Sequence, residues 1–265
     1  MWRFLFVIAL LSCNGDDTDT DTDADTDTDT DTDTDTDTDT GPTGLVFGTV
    51  TDTDSAPLEG VHVNLCLLTC RDAETDASGD YAFAPLPAAT YSFHVIGPSE
   101  ANLAQPLVPL SIEEDGMHEV DVVMVALGTP VPLPSGSAAE VEIAPGVFIT
   151  TKLGDLTVEL DDDPTEVSGA VVNPDDWLPV TFDGTVVAMW YLDPFEANAD
   201  PTMPIRLSND WSLTPGGTYE LWRSDYWDQA FVKVGDFVAS ESELVDSTAR
   251  LEQLTTLALV EPSDR

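Results

Sequence analysis

The sequence has few basic residues, few histidines and no long apolar run. Eight Lys and Arg face 51 Asp and Glu, the formal net charge is −43, and there are three histidines. A surface this acidic repels polyanions, so nucleic acid is excluded as a partner. The apolar run near the N-terminus, Phe4–Leu11, is far shorter than the roughly 20 residues that a membrane-spanning helix needs.

Sequence patterns that carry catalysis are also missing. There is no G-x-S-x-G turn and no glycine-rich phosphate loop, and His118-Glu119 begins a zinc-protease motif in which Val122 replaces the second histidine. Asp and Glu are so common that their presence does not point to a two-carboxylate hydrolase. We therefore predict a protein that is not an enzyme, with no catalytic residues, no cofactor and no metal site.

A basic residue, a short apolar run and a cysteine follow one another at the N-terminus. Arg3 precedes the apolar run, and Leu10-Leu11-Ser12-Cys13 resembles the lipobox of bacterial lipoproteins. The resemblance implies that residues 1–12 are a signal peptide and that acylated Cys13 is the lipid anchor that attaches the protein to a membrane. The alternative is an ordinary secretory signal followed by a chance cysteine.

The residue that follows Cys13 indicates to which membrane a lipoprotein is sent. In lipoproteins of Gram-negative type, a residue other than aspartate at this position favours passage to the outer membrane, and Asn14 fits that pattern. The resemblance therefore implies a lipid-anchored location in the cell envelope, at the outer membrane, on either its periplasmic or its surface face.

Aspartate alternates with threonine from Asp16 to Thr40, except at Asp16-Asp17 and at Ala24. Neither face of such a segment is apolar, so the alternation does not predict a strand. Neighbouring carboxylates lie about 7 Å apart in an extended chain, inside the roughly 8 Å Debye length of physiological salt, and repel one another. We therefore predict that residues 13–43 are a disordered acidic tether, in which the stretch from Cys13 to Thr40 reaches at most about 90 Å at about 3.3 Å per residue.

The residues beyond the tether are acidic but have the composition of folded domains. From Gly41 onward there are 38 of the 51 acidic residues and seven of the eight Lys and Arg, a net charge of −31. Aromatic and β-branched residues are plentiful there, so the charge lies on folded domains rather than marking disorder. About 225 residues are enough for two ordinary domains.

Cys66 and Cys70 are the two cysteines outside the lipobox. Neither His62 nor His94 has zinc-ligand spacing to them, and outside the cytoplasm a disulfide is expected. A straight strand would place their Cα atoms about 13 Å apart, beyond the roughly 7 Å limit for a disulfide. The chain must therefore bend at residues 67–69.

Residues 44–127 read as short strands separated by turns, the pattern of an all-β sandwich. Apolar residues alternate in the predicted strands, and two turns contain glycine at Gly60 and Gly79. His62 and His94 fall between core-facing neighbours, so we expect them on outward faces, either solvated or hydrogen-bonded. Asp76 is expected to cap its turn rather than to bind a metal.

Two turn motifs make this segment resemble a known family. Pro57-Leu58-Glu59-Gly60-Val61 and Thr75-Asp76-Ala77-Ser78-Gly79-Asp80-Tyr81 are similar to markers of the carboxypeptidase regulatory-like domain, although Ala89 stands where glycine is usual. The resemblance implies a transthyretin-like β-sandwich of seven strands. It also implies a non-catalytic module.

A second domain follows a Pro/Gly/Ser-rich linker at residues 128–137. Residues 138–262 contain further strand-like runs and five tryptophans, and predict a second, Ig-like β-sandwich. Core packing is the favoured interpretation of its aromatic residues. The alternative is an exposed platform that binds a glycan or a surface protein, and its candidates are Trp222, Tyr226 and Trp227.

Three hypotheses follow from the sequence. The leading one is a membrane-anchored, non-enzymatic lipoprotein that displays β-sandwich modules for binding or adhesion, with a carbohydrate or protein ligand. The second is a hydrolase, or a subunit that assists one, acting through the Trp-rich domain. The third is a calcium-stabilised adhesive module, in which Asp161, Asp162 and Asp163 meet Asp175 and Asp176.

Overall fold

The computed structural model describes residues 44–98, 101–159 and 163–263 of the 265-residue chain. These residues contain twenty β-strands and one turn of 3-10 helix, Pro174–Asp176, which confirms the predicted all-β, sandwich-like class. The predicted signal peptide, the predicted anchor Cys13 and the predicted tether lie outside the described residues. Within the described ranges no helix is long and apolar enough to span a bilayer.

The first module, residues 44–127, is a sandwich of two four-stranded sheets. One sheet has the order β4-β1-β7 with β8 also paired to β1, and the other has the order β3-β2-β5-β6. The strands are β1 (Gly44–Asp52), β2 (His62–Cys66), β3 (Cys70–Glu74), β4 (Asp80–Leu86), β5 (Ala89–Ile96), β6 (Leu107–Ile112), β7 (Met117–Glu119) and β8 (Val122–Met124).

The alternation of apolar residues places the first core between these two sheets. Alternate residues over most of β1, β2 and β4 are buried there, because successive side chains of a strand point to opposite faces. The predicted turns also form. Gly60 and Gly79 have φ values of 75° and 80°, and Asp76 Oδ1 accepts hydrogen bonds from the N–H groups of Ser78 and Asp80, at 2.8 and 3.1 Å.

The second module, residues 128–263, contains the other twelve described strands in one continuous sheet. Its order is β10-β11-β15-β18-β17-β16-β20-β14-β13-β9, with β12 and β19 also paired to β15. The strands are β9 (Val131–Pro132), β10 (Ala139–Ala144), β11 (Val147–Thr151), β12 (Leu156–Thr157), β13 (Glu166–Val171), β14 (Gly184–Asp193), β15 (Asn198–Ser208), β16 (Thr218–Asp225), β17 (Ala230–Ala239), β18 (Glu243–Val245), β19 (Arg250–Gln253) and β20 (Thr256–Pro262).

This sheet doubles back around a single core. Val141 near one end of the sheet and Val167 near the other belong to the same buried cluster, together with Trp190 and Leu221. The segment predicted as a linker contributes to the sheet, because Val131 pairs with Val167 in antiparallel register.

The two modules pack face to face over an apolar layer. Ala104 and Val125 of the first module are buried in one cluster with Met189 and Tyr191 of the second. Strand β14 is thus covered on both faces, with Trp190 in the core and its neighbours Met189 and Tyr191 against the first module. The favoured interpretation as packing therefore holds for Trp190 and Tyr191.

This interface changes the environment predicted for one histidine. His62 is exposed, with Nδ1 3.1 Å from Asp72 Oδ1. His94 lies on the outward face of β5 but is buried, because the second module covers that face and Phe195 stacks on its ring with centroids 4.1 Å apart. Burial lowers the pKa of His94 to about 4, although a hydrogen bond with Gln105 opposes the shift.

Candidate functional site

Hairpin tips of the two modules meet at a disulfide. Cys66 and Cys70 are bonded, with Cα atoms 4.0 Å apart, so the chain bends at residues 67–69 as predicted. The OH group of Tyr226, from the β16–β17 tip, lies 2.9 Å from Cys66 Sγ and 2.8 Å from Cys70 Sγ. The disulfide therefore orders the β2–β3 tip and provides a contact surface for the second module.

The same tip holds the most exposed tryptophan among the described residues. The Trp227 side chain is 76 % exposed, and its ring packs edge-on against Tyr226 at a centroid distance of 5.2 Å. Asp225 Oδ1 accepts hydrogen bonds from the N–H groups of Trp227 and Asp228, both at 3.0 Å. The backbone beneath this exposed ring is therefore fixed.

An aromatic groove opens on the outer face of the second module, where that face emerges from the module interface. Its volume is about 810 Å³, and its aromatic lining consists of Phe182, Trp222 and Phe231. Phe182 is central, because its ring centroid lies 4.7 Å from that of Phe231 and 5.9 Å from that of Trp222. All three side chains are half-buried, so part of each ring faces the groove.

Strand register explains how this groove forms. Trp222 on β16 pairs with Lys233 on β17, and Phe231 lies two residues before Lys233 on the same face. Phe182 comes from the segment between the 3-10 turn and β14. Residues from three separate parts of the chain thus meet on one surface.

Polar side chains surround the aromatic rings. Trp222 Nε1 donates to Glu220 Oε2 at 3.2 Å, and Lys233 Nζ lies 2.8 Å from Glu220 Oε1 and 2.6 Å from Asp236 Oδ1. The hydrogen bonds to Asp236 and Glu220 raise the pKa of Lys233. The groove therefore combines apolar ring faces with fixed donors and acceptors, the usual composition of a small-molecule site.

A second, smaller cavity of about 260 Å³ is acidic. Buried Arg223 donates from Nη1 to Asp225 Oδ2 at 2.8 Å, and its Nη2 lies 3.4 Å from Glu252 Oε2. Glu196 also lines this cavity with φ of 58°, and its Oε1 is buried without a hydrogen-bond partner. Trp227 is at the cavity rim.

The carboxylates of this cavity have different pKa values. Burial raises the pKa of Glu196 to about 7, and the charges of Asp225 and Glu159 add to the increase. Burial acts in the same direction on Asp225, but the N–H groups of Asp228 and Trp227 and the Arg223 guanidinium outweigh it and lower that pKa.

The three predicted platform residues do not line one site. Trp222 lines the aromatic groove, Trp227 borders the acidic cavity, and Tyr226 packs on the disulfide. Phe182 and Phe231, which line the groove with Trp222, are not among the residues predicted from the sequence. The Thr181-Phe182-Asp183 stretch precedes a glycine in a region without periodicity, so only its aromatic residue could have drawn attention.

The described aspartates of the predicted calcium site do not belong to a group of side chains that could bind a metal ion. Asp161 and Asp162 lie outside the described residues, whereas Asp163, Asp175 and Asp176 are within them. Across the described part of the chain, no three His, Cys, Asp or Glu side chains are grouped as a metal site would require.

One segment of the chain matches a known protein family. Residues 46–125 match the carboxypeptidase regulatory-like domain, which confirms the resemblance found in the sequence. Among curated proteins none matches the chain.

The chain is weakly similar to several solved structures. A candidate carbohydrate-binding protein of Bacteroides uniformis is 12 % identical with a TM-score of 0.28, over 83 % of this chain and 80 % of that one. The Bacillus anthracis TIE protein is 10 % identical with a TM-score of 0.29, over 82 % and 44 %. A DUF3823 family protein of Parabacteroides merdae is 9 % identical with a TM-score of 0.26, over 84 % and 100 %. TM-scores this low carry no inference about function.

Proposed function

We propose that this chain, in which residues 46–125 form a carboxypeptidase regulatory-like domain, is a non-enzymatic binding protein of the cell envelope. Its β-sandwich modules are displayed on the acidic tether, Cys13 anchors them to the outer membrane, and the aromatic groove binds carbohydrate. The observation that carries the binding role is the grouping of Phe182, Trp222 and Phe231 in one open groove of about 810 Å³.

The chemistry of this groove suits a sugar ring. Pyranose rings present C–H groups on their faces and hydroxyl groups at their edges, so they stack on aromatic rings and exchange hydrogen bonds with polar neighbours. Glu220 and Lys233 provide acceptors and donors beside Trp222, and their mutual contact fixes their positions. A preformed site of this kind loses little side-chain entropy on binding.

A glycan array probed with the full chain tests the binding role. We expect a restricted set of glycans to bind, and we expect Trp222→Ala to abolish that binding while Trp227→Ala retains it, since Trp227 lies outside the groove. Binding that is lost with Trp227→Ala and kept with Trp222→Ala would refute the assignment of the groove.

Cell fractionation tests the anchor separately. The Leu10–Cys13 lipobox supports acylation of Cys13, and Cys13→Ser should release the protein into the soluble fraction. Continued membrane association of that variant, or a mature N-terminus at another residue, would contradict the anchor without affecting the groove.

A second candidate function, hydrolysis or assistance to a hydrolase, is favoured by one observation. The acidic cavity brings a carboxyl group with a raised pKa, Glu196, near one with a lowered pKa, Asp225, beside Trp227. Such a pair can divide acid and base roles. Hydrolysis of an oligosaccharide that Glu196→Gln abolishes would establish this function, and an inactive wild-type protein would exclude it.

A further inference from the structure

The aromatic groove continues into a neighbouring cavity at the edge of the first module. This proline cavity, about 500 Å³ in volume, is lined by Pro109, Met117, His118, Pro179 and Thr181, among others. Pro109 and Thr181 also line the aromatic groove, so the two adjoin. We call the pair the cleft. From these observations we infer that the cleft binds an extended, uncharged oligosaccharide across both cavities; this inference rests on the proposed carbohydrate-binding function.

The length of the cleft favours a polymer over a single sugar. The aromatic groove is lined mainly by β16, β17 and β20 of the second module, whereas the proline cavity is lined by β6 and β7 of the first module together with residues 179–181 of the second. A ligand that fills only the groove leaves the proline cavity solvated. A chain of several residues contacts both cavities, and each further contact strengthens binding.

The charges of the cleft favour a neutral ligand over an acidic one. Asp183, Glu220 and Glu119 contribute carboxylates to its lining. Lys233 is paired with both Glu220 and Asp236, and no other Lys or Arg lines the described part of the cleft. A uronate or sulfated sugar would therefore meet repulsion from the cleft and from the modules as a whole.

The edge strand of the first module disfavours the binding of an extended peptide in the cleft. Strand β6 is at the edge of its sheet, and the N–H of Leu107 points away from β5 to donate to Thr256 Oγ1 at 3.0 Å. Pro109, two residues later, faces the same way but has no N–H. Strand addition by a peptide would lose a hydrogen bond at the centre of the cleft.

Titration calorimetry with the full chain tests this inference. The probes are cello-, laminari-, malto- and manno-oligosaccharides of two to six residues, with oligogalacturonate and an extended peptide as comparisons. We expect at least one neutral series to bind, with the hexasaccharide at least about tenfold tighter than the disaccharide. We expect no binding of oligogalacturonate or of the peptide.

Variants in the proline cavity separate the two proposals. The double variant Met117→Ala with Pro179→Ala should lower the affinity for the hexasaccharide to that for the disaccharide. The affinity for the disaccharide itself should not change. The control is Leu68→Ala, because the Leu68 side chain is 97 % exposed and lies outside the cleft. Affinity independent of length, equal binding of oligogalacturonate, or preference for the peptide would overturn the inference. Failure of every oligosaccharide to bind would overturn the proposed carbohydrate-binding function as well.

Discussion

The ring of His94 in the first module stacks on the ring of Phe195 in the second, with an interplanar angle of 20°. Burial lowers the pKa of His94 to about 4, whereas the same side chain titrates near 6.5 when unfolded. The unfolded chain therefore takes up a proton first as the pH falls. The interface between the modules makes folding sensitive to acid.

Acid should destabilise the wild-type protein more than the His94→Gln variant. As the pH falls from about 6.5 to about 4, protonation of His94 in the unfolded state should reduce the free energy of unfolding by up to roughly 3 kcal/mol. The measurement is urea unfolding at a series of pH values. If the free energies of unfolding of the two proteins changed in parallel with pH, His94 would not be buried in its neutral form.

Glu196 should have the opposite pH dependence. Its folded pKa is about 7 and its ordinary value is 4.5, so its contribution to stability is present below pH 4.5 and is lost as the pH rises through 7. Glu196→Gln should therefore gain stability relative to wild type between pH 5 and 8. A constant difference between the two unfolding free energies across that range would contradict the raised pKa.

The disulfide should contribute modestly to stability and more to local order. It closes a very short loop, so Cys66→Ser with Cys70→Ser should lower the free energy of unfolding by only about 2 kcal/mol. Because Tyr226 lies against both sulfur atoms, the variant should also show faster amide exchange at the β16–β17 tip. Tyr226→Phe, which keeps the disulfide, is the control for lost hydrogen bonding alone.

Two tryptophans of the second module should differ sharply in their effect on stability. Trp190 is fully buried in the core, and Trp190→Ala should cost about 3–5 kcal/mol. Trp227 is mostly exposed, and Trp227→Ala should stay within about 0.5 kcal/mol of wild type. Thermal unfolding of both variants checks this, and similar losses for the two would contradict the burial described.

Local patterns predicted the features that depend on neighbouring residues. The glycine turns, the capping role of Asp76 and the bend between the cysteines all follow from short stretches of sequence. Strand β6 was not predicted, because Pro109 at its centre interrupts the strand signal, and β3 was not, because most of its residues are polar.

Features that depend on how the two modules pack could not be predicted from the sequence. The outward face of β5 carries His94 whether water or another module covers it, so the strand pattern cannot distinguish the two cases. The groove likewise unites Phe182 from a connecting segment with Trp222 and Phe231 from paired strands. No periodicity in the sequence links these three residues.

The carbohydrate-binding role is tested most directly by a calorimetric titration of the tightest-binding neutral oligosaccharide into wild-type, Trp222→Ala and Trp227→Ala proteins. We predict saturable binding by wild type and by Trp227→Ala, and no detectable binding by Trp222→Ala, with all three proteins folded by circular dichroism. Unchanged affinity in the Trp222→Ala protein would show that the aromatic groove is not the binding site.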